Sequence, residues 1–191
     1  MPILPAEPEL FPPDLWLPED PRSRVGPGDS RRWWCLHTKP RQEKATARHL
    51  LKMQIAYYLP MVVQESRTPG GRKIRSIVPL FTGYLFLLGD AHERLEAFQA
   101  NSLVQCLEVG DQEDLDRDLQ QLQRLLTSGL PVVPEPTHPV GTDVRIVSGP
   151  LTGVVGRVVR RGKRDHFTAL VRFLGRGASI DLQDWQVERI D

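Results

Sequence analysis

Four basic side chains surround a Pro-Gly-Gly turn in this chain, and no acidic residue lies among them. They are Arg67, Arg72, Lys73 and Arg75. Apolar runs at 57–63 and 74–88 flank the turn, which is typical of a β-hairpin whose tip carries this charge. Such a tip is either solvated surface or a contact for nucleic-acid phosphates, which bind basic side chains without regard to sequence. Lys39 and Arg41, at the start of a predicted helix, would extend the same basic surface.

Three aromatic residues follow this turn within one strand-like run, namely Phe81, Tyr84 and Phe86. Pro79 and Gly83 interrupt the run, which predicts a bend where the chain enters a sheet. Alternation along a strand places Tyr84 and Phe86 on one face. Rings in this setting either belong to an ordinary core or line an apolar depression that receives a partner helix.

No combination of side chains in the sequence predicts catalysis. The chain has no phosphate-binding loop, no Gly-x-Ser-x-Gly and no His-Glu-x-x-His, and its five histidines are scattered. Its two cysteines, Cys35 and Cys106, lie in strand-like settings without a metal-binding spacing, which favours buried, reduced thiols. We therefore expect a binding protein that is not an enzyme and uses neither a cofactor nor a metal.

The bulk properties are those of an ordinary soluble protein. A length of 191 residues fits one or two domains, and a net charge of +1 does not by itself indicate a nucleic-acid partner. No apolar run reaches the ~18 residues that a membrane helix needs. The N-terminus lacks the basic flank and apolar core of a signal peptide. These features predict a cytoplasmic protein, which we expect to be a monomer without membrane contact.

The predicted elements begin with a tail and an α/β domain. Residues 1–30 hold eight of the seventeen prolines together with six acids, which predicts a disordered tail. Phe11 and Leu15-Trp-Leu17 interrupt this tail and would dock either on the domain or on a partner. Residues 31–129 predict an α/β sandwich with a mainly antiparallel sheet. Its strands and helices are expected at 33–38, 41–54, 57–63, 74–88, 91–100, 104–109 and 111–128.

A linker and a small β domain complete the chain. The last helix of the first domain carries leucines at helical spacing, Leu115, Leu119, Leu122 and Leu126, which indicates core packing. Four prolines within residues 130–140 predict a stiff, extended linker. Residues 141–191 contain five short strand-like segments separated by turns, which predicts a small five-stranded β-barrel and an α+β protein overall.

In several of these segments the chain resembles the NusG family of transcription elongation factors. Leu80-Phe-Thr-Gly-Tyr-Leu-Phe86 is similar to the Phe-Pro-x-Tyr core of the NusG N-terminal domain, with Thr82 at the usual proline position. Trp33-Trp-Cys-Leu-His-Thr38 and the following Glu43 resemble the first strand and helix of that domain. Gly141 to Gly156 is similar to the KOW motif that follows it. The resemblance covers residues 31–191 and is strongest to the specialised RfaH and UpxY antiterminators, as the proline-rich tail and the run at 37–44 indicate.

The resemblance implies a set of partners for this chain. In the family, an apolar depression grips the clamp helices of the largest RNA polymerase subunit, and the hairpin lies near the non-template strand and the upstream DNA. The KOW domain of the family docks a small-subunit ribosomal protein or the termination factor Rho, and a basic turn there keeps RNA binding open. The implied polymerase-binding positions are Leu36, His37, Phe81, Tyr84 and Phe86. The implied positions in the KOW domain are Arg160, Arg161, Lys163 and Arg164.

The resemblance therefore predicts a factor that binds polymerase, reduces pausing and termination, and recruits a partner through its KOW domain. A general housekeeping NusG, instead of an operon-specific antiterminator, is one alternative. A ribosome-associated KOW protein that binds RNA is another, but such a protein has no need of the aromatic residues near Gly83.

Overall fold

The computed structural model describes ten stretches of the chain. The chain divides into two compact units. The first unit is Met1–Glu113 and the second is Asp114–Asp191. The division falls inside the last helix of the predicted first domain, before the predicted linker. The stretches are 8–17, 30–67, 71–130, 132–135, 142–147, 150–161, 164–171, 174, 176–181 and 187–189. No helix in them is long and apolar enough to cross a membrane.

The first unit is a five-stranded antiparallel sheet with two helices and a separate two-stranded hairpin, which confirms the predicted antiparallel α/β class. The strand order in the sheet is β1-β3-β6-β2-β7, and β4 pairs only with β5. The helices are α1 (Glu43–Lys52) and α2 (Ala91–Phe98). The strands are β1 (Leu10–Phe11), β2 (Arg32–Thr38), β3 (Ala56–Tyr58), β4 (Met61–Arg67), β5 (Lys73–Pro79), β6 (Tyr84–Gly89) and β7 (Leu103–Glu108).

Both helices cover the same face of the sheet. Alternation along the strands directs Trp34, Leu36, Leu85 and Leu87 to this face, where they join one buried cluster with Leu50 of α1 and other apolar residues. α2 is held at its start by a reciprocal capping box, in which Asp90 accepts from the backbone of Glu93 and Glu93 accepts from the backbone of Asp90. This helix-covered face is the main core of the first unit.

The opposite face is also apolar, and because neither α1 nor α2 lies on it, we call it the helix-free face of the first unit. The register pairs His37 with Tyr84, Cys35 with Phe86 and Trp33 with Leu88, so all of these side chains point to the same side. Tyr58 of β3 lies opposite Phe86 and extends this face toward the sheet edge. A sheet whose central strands are apolar on both faces must be covered on both.

Residues 8–17 pack on the sheet, which differs from the disordered tail expected for residues 1–30. Leu10 pairs with Tyr58 and Phe11 with Tyr57, so β1 adds a strand to the edge of β3. Leu15 is fully buried. The tail prediction followed from its prolines, but the apolar residues between them gain more from the sheet than the extended chain loses in entropy. Residues 1–7 and 18–29 lie outside the described residues.

Gln112 extends the hydrogen bonding of β2 beyond the end of β7. Its Oε1 accepts from the backbone N–H of Trp33 at 2.6 Å, and its Nε2 donates to the Trp33 carbonyl at 3.1 Å. A side-chain amide thus replaces a further strand residue at this edge. This pairing fixes the end of β2 that carries Trp33 on the helix-free face.

The second unit contains a six-stranded antiparallel sheet and most of α3 (Gln112–Thr127). The strand order is β13-β9-β10-β11-β12-β8. All five strand segments predicted for residues 141–191 are present, whereas the closed barrel stays a prediction. The strands are β8 (Val133–Glu135), β9 (Thr142–Ile146), β10 (Val155–Arg161), β11 (Arg164–Val171), β12 (Arg176–Asp181) and β13 (Val187–Arg189).

Two details of the second unit differ from the sequence expectations. Residues 133–135, placed in the predicted linker, form strand β8 and pair with β12. The leucine stripe of α3 is buried at Leu115, Leu119 and Leu122 as expected, but its fourth buried member is Leu125 and Leu126 is partly exposed. Gln121 of the same helix accepts a hydrogen bond from the backbone of Val155 at 2.5 Å.

An ion pair joins β9 to β10 and gives this unit a pH-dependent contribution to stability. Arg157 donates from Nε and Nη2 to the two carboxylate oxygens of Asp143, at 2.6 and 3.0 Å. These hydrogen bonds lower the pKa of Asp143 below its ordinary value of 3.8. A carboxylate whose pKa is lower in the folded state stabilises the folded state at pH values above its ordinary pKa. This stabilisation is lost as the pH falls through the lowered pKa.

Asp143→Asn should therefore reduce the free energy of unfolding at neutral pH. Because the carboxylate is about half exposed, we expect at most about 1 kcal/mol. Urea titration of the full chain should show the loss at neutral pH and none once the pH is well below 3.8. Adding Arg157→Gln should cause little further loss. A deficit that persists at low pH would contradict this account of the pair.

Candidate functional site

A tight turn at the start of β6 is the centre of the candidate site. Gly83 has a φ of 84°, a left-handed conformation that favours glycine at this turn position. The backbone N–H of Tyr84 donates to the Phe81 carbonyl at 2.9 Å and closes the turn. The Gly83 carbonyl accepts from the N–H of Thr38 at 2.8 Å, which joins the turn to the end of β2.

Glu43, the first residue of α1, fixes this turn from the other side. Its Oε1 accepts a hydrogen bond from the N–H of Gly83 at 2.7 Å, although the residue is only 4% exposed. A buried carboxylate needs such a partner, because an unpaired charge away from water is costly. The helix, the turn and β2 are therefore held together at one point.

His37 and Tyr84 form the exposed end of the helix-free face. Their rings stack with centroids 4.9 Å apart and an interplanar angle of 15°. Both side chains are partly exposed. The Nδ1 atom of His37 is buried and has no hydrogen-bond partner within the described residues. A partly exposed aromatic pair is suited to contact with another macromolecule.

The other three predicted polymerase-binding residues are not on the surface. Leu36 and Phe86 are 0% exposed and Phe81 is 1% exposed. Leu36 points to the helix-covered core, since it neighbours His37 and alternation places it on the opposite face. Phe81 covers Phe86 edge-on, with ring centroids 6.2 Å apart. The expectation that these residues line an open depression is therefore wrong for Leu36, Phe81 and Phe86, because all three are buried. Only His37 and Tyr84 of the five are partly exposed.

Trp16 covers the far end of the same face. Its ring meets Tyr58 edge-on at 5.2 Å and lies 6.1 Å from the ring of Trp33. Sequence reasoning did not place Trp16 or Glu43 in the site. The signal for Glu43 was its position in the first turn of α1, where a carboxylate is favoured by the helix dipole. No local pattern links Trp16 to Tyr58.

The two cysteines do not add a reactive group to the site. Burial, together with the nearby Cys106, raises the pKa of Cys35 to about 12. Burial is also the main cause that raises the pKa of Cys106 to about 11. Both thiols are free and stay protonated at neutral pH, so neither is an effective nucleophile.

The basic residues of the hairpin lie on an exposed ribbon. Arg72, Lys73 and Arg75 are exposed, and Arg75 donates to Glu65 across the ribbon at 2.7 Å. The backbone of Arg67 pairs with Lys73, whereas its side chain lies outside the described residues. The ribbon also exposes the cross-strand pair Val63 and Ile77, at 60% and 46%.

The two remaining predicted nucleic-acid-binding residues, Lys39 and Arg41, lie just before α1. Lys39 donates from Nζ to both the backbone and side-chain oxygens of Asn101, at 2.7 and 3.0 Å. Arg41 is exposed and adopts a left-handed φ of 61° in the turn before α1. Lys44, from the next turn, donates to the Ile77 carbonyl at 2.7 Å and ties the helix to the base of the hairpin.

The basic turn of the second unit lies at the tip of the β10–β11 hairpin. Arg161 pairs with Arg164, and Arg160 pairs with Asp165. The side chains of Arg160, Arg161 and Arg164, and all of Lys163, lie outside the described residues. The described backbone therefore ends β10 at Arg161 and begins β11 at Arg164, and the role of these basic residues stays a prediction.

A comparison with protein families identifies the domain that carries this site. The family model described as "Transcription termination factor nusG" matches residues 31–113. The match covers the whole turn, both helices of the first unit and the hairpin. It ends at residue 113, so the similarity of residues 141–191 to a KOW motif stays a prediction. No curated protein matches the chain.

Two solved structures are similar to the chain at low identity. One, "Domain interaction in Thermotoga maritima NusG", has 19% identity and a TM-score of 0.44 over 84% of this chain and 98% of its own. The other, "Crystal Structure of MjSpt4:Spt5 complex conformation B", has 16% identity and a TM-score of 0.27 over 83% of this chain and 99% of its own. Both TM-scores lie below 0.5, so neither similarity identifies the fold of this chain.

Removing the Glu43 carboxylate should loosen the turn. Glu43→Ala leaves the Gly83 N–H without its charged acceptor, so we expect a loss of about 1.5–3 kcal/mol in the free energy of unfolding. Glu43→Gln keeps an oxygen acceptor and should lose clearly less. Urea denaturation and the exchange rate of the Gly83 amide measure both effects. Equal losses for the two variants would show that the hydrogen bond does not hold the turn.

Proposed function

We propose that this protein is a transcription elongation factor that binds RNA polymerase through the exposed end of its helix-free face. The observation that carries the proposal is the His37–Tyr84 stack, held by the Gly83 turn in the domain that matches the NusG family model. This arrangement presents flat aromatic area on a rigid sheet. The proposed partner is the clamp coiled coil of the largest polymerase subunit.

A coiled coil suits this surface for physical reasons. A helix docks by its apolar stripe, and large aromatic rings supply most of the binding energy in such a contact. The Tyr84 ring offers apolar area with a polar hydroxyl group.

Binding alters transcription only if it distinguishes polymerase states. A factor that binds the clamp in its closed, active position more tightly than in a paused position shifts the population toward elongation. A preference of about 1.4 kcal/mol changes that ratio tenfold. We propose that pausing and termination fall for this reason, and that the protein acts as an operon-specific antiterminator and not as a general NusG.

The hairpin supplies the second proposed contact, with DNA beside the polymerase. Residues 61–79 carry four bases and one acid. Arg72, Lys73 and Arg75 are exposed, and the Arg75–Glu65 pair leaves the ribbon positive overall. Phosphate contacts of this kind add affinity without choosing a sequence. Lys39 and Arg41 lie at the other exposed turn of the unit and would extend the contact.

The second unit is proposed to recruit another protein through the tip of its β10–β11 hairpin. The candidates are a small-subunit ribosomal protein and Rho. Capture of ribosomal RNA without polymerase in a pull-down would instead favour a ribosome-associated RNA-binding protein. Capture of polymerase without ribosomal RNA supports the elongation factor.

Substitution of the stacked pair should abolish binding to the coiled coil. His37→Ala with Tyr84→Ala removes the exposed rings while leaving Phe81 and Phe86 in place. We expect affinity for the isolated clamp coiled coil to fall by at least about 2 kcal/mol, roughly 30-fold. Isothermal titration calorimetry with the full chain measures this loss.

A matched control is Leu95→Ala with Phe98→Ala on α2. These apolar side chains are 60% and 40% exposed. Their removal should leave binding to the coiled coil unchanged. If both double variants lose affinity equally, or neither does, the stacked pair is not the contact.

Neutralising the hairpin should weaken the salt dependence of DNA binding. Arg72→Gln, Lys73→Gln and Arg75→Gln together should reduce the slope of log affinity against log salt by about 2–3, since each phosphate contact contributes ~0.7–0.9. Fluorescence anisotropy with a single-stranded DNA at several salt concentrations measures the slope. Lys52→Gln, Arg117→Gln and Arg124→Gln change the net charge equally and should have little effect. Identical slopes for the two triple variants would show that DNA binding depends on net charge and not on the hairpin.

A further inference from the structure

The segment at residues 8–17, which we term the N-terminal strap, contacts the sheet much as a bound peptide would. Leu10 and Phe11 pair with the edge of β3. The Glu9 carbonyl accepts from the N–H of Leu59 at 2.7 Å, and the Pro8 carbonyl accepts from the Tyr57 hydroxyl at 2.8 Å. Addition of a short extended segment to a sheet edge is a common mode of peptide recognition.

A turn after β1 then places Trp16 on the helix-free face, and the neighbouring Leu15 is buried. The N–H of Leu15 donates to the Pro12 carbonyl at 3.1 Å, and that of Leu17 donates to the Asp14 carbonyl at 2.8 Å. Leu15 is fully buried, and Trp16 contacts Tyr58 and Trp33. Tryptophan is among the residues most often found as an anchor in binding interfaces.

The strap also leaves polar groups poorly satisfied where it meets the sheet. The Tyr58 hydroxyl is buried without a hydrogen-bond partner within the described residues. Burial raises the pKa of Glu9, and burial followed by the charge of Glu9 raises that of Tyr58. β1 joins the sheet through two register pairs, whereas β2 and β6 share six. The strap is therefore held by a much shorter strand pairing than the centre of the sheet, and we expect it to detach at a lower cost.

We propose that the aromatic surface formed by Trp33 and Tyr58 is a binding site for a short apolar segment, and that the N-terminal strap occupies it in the free protein. The strap must detach before a partner helix can extend its contact from the His37–Tyr84 stack across this surface. Only the identity of that partner rests on the proposed function. The occupation of the Trp33–Tyr58 surface by the strap follows from the contacts given above.

Hydrogen exchange of the full chain tests whether the strap opens separately. The Leu59 amide, whose acceptor is the Glu9 carbonyl, reports the strap, and the amides of β2 and β6 report the sheet. We expect Leu59 to exchange at least about tenfold faster than the protected amides of β2 and β6. Equal rates would overturn the proposal, because the strap would then open only when the whole unit unfolds.

Trp16→Ala removes the aromatic anchor, and Leu17→Ala is its matched control, since Leu17 is 59% exposed in the same segment. Trp16→Ala should accelerate exchange at Leu59 at least about tenfold beyond the parent chain and leave β2 and β6 unchanged. Leu17→Ala should change neither. If Trp16→Ala accelerates β2 and β6 as much as Leu59, or unfolds the unit, Trp16 belongs to the core and the proposal fails.

A synthetic peptide of residues 8–17 tests the binding site directly. Added to full-length Trp16→Ala protein, it should shift the resonances of Trp33 and Tyr58, whereas a peptide with Leu15→Asp and Trp16→Asp should not. Absence of any shift would contradict a peptide-binding surface.

The clamp coiled coil separates the two proposals. Apparent affinity is reduced by the fraction of molecules whose site is closed, so Trp16→Ala should bind the coiled coil about tenfold more tightly than the parent chain. Equal affinities would show that the strap does not compete, which overturns its regulatory role. If neither chain binds the coiled coil while the exchange and peptide results hold, the strap stands and the proposed polymerase contact falls.

Discussion

Strand β6 is apolar on both faces, and this constraint governs the rest of the first unit. It lies between β2 and β3, so both of its edges are hydrogen-bonded within the sheet. Exposing either apolar face to water would cost a large part of the hydrophobic stabilisation. α1 and α2 cover one face. On the other face, Phe81 contacts Phe86, and Trp16 of the N-terminal strap contacts Trp33 and Tyr58.

The Gly83 turn connects that constraint to the proposed function. It sends the chain from the hairpin into β6, and its hydrogen bonds to Glu43 and Thr38 set where Tyr84 stacks on His37. The aromatic surface and the basic ribbon are thus consecutive in the chain and share one anchor. Two weak contacts fixed to one rigid element reinforce each other, because the first raises the effective concentration of the second.

Local patterns predicted β2, β7, α1 and α2 within a few residues, since alternation and helical spacing are properties of short segments. The runs at 57–63 and 74–88 were each expected to form one strand, but the structure divides them between β3 and β4 and between β5 and β6. Local patterns also placed Tyr84 and Phe86 on one face. Long-range contacts escaped them. Phe81 folds over Phe86 because of the turn, which no periodicity describes. Trp16 contacts Tyr58, although it lies in a proline-rich segment whose composition alone indicates disorder.

Chemical-shift mapping tests the central claim most directly. The isotope-labelled full chain would be titrated with the clamp coiled coil of the largest RNA polymerase subunit. We expect the largest changes at His37, Gly83 and Tyr84, followed by Trp33 and Tyr58 as the strap leaves. Changes confined to the hairpin or to α2, or no change at saturating coiled coil, would contradict a polymerase contact on the helix-free face.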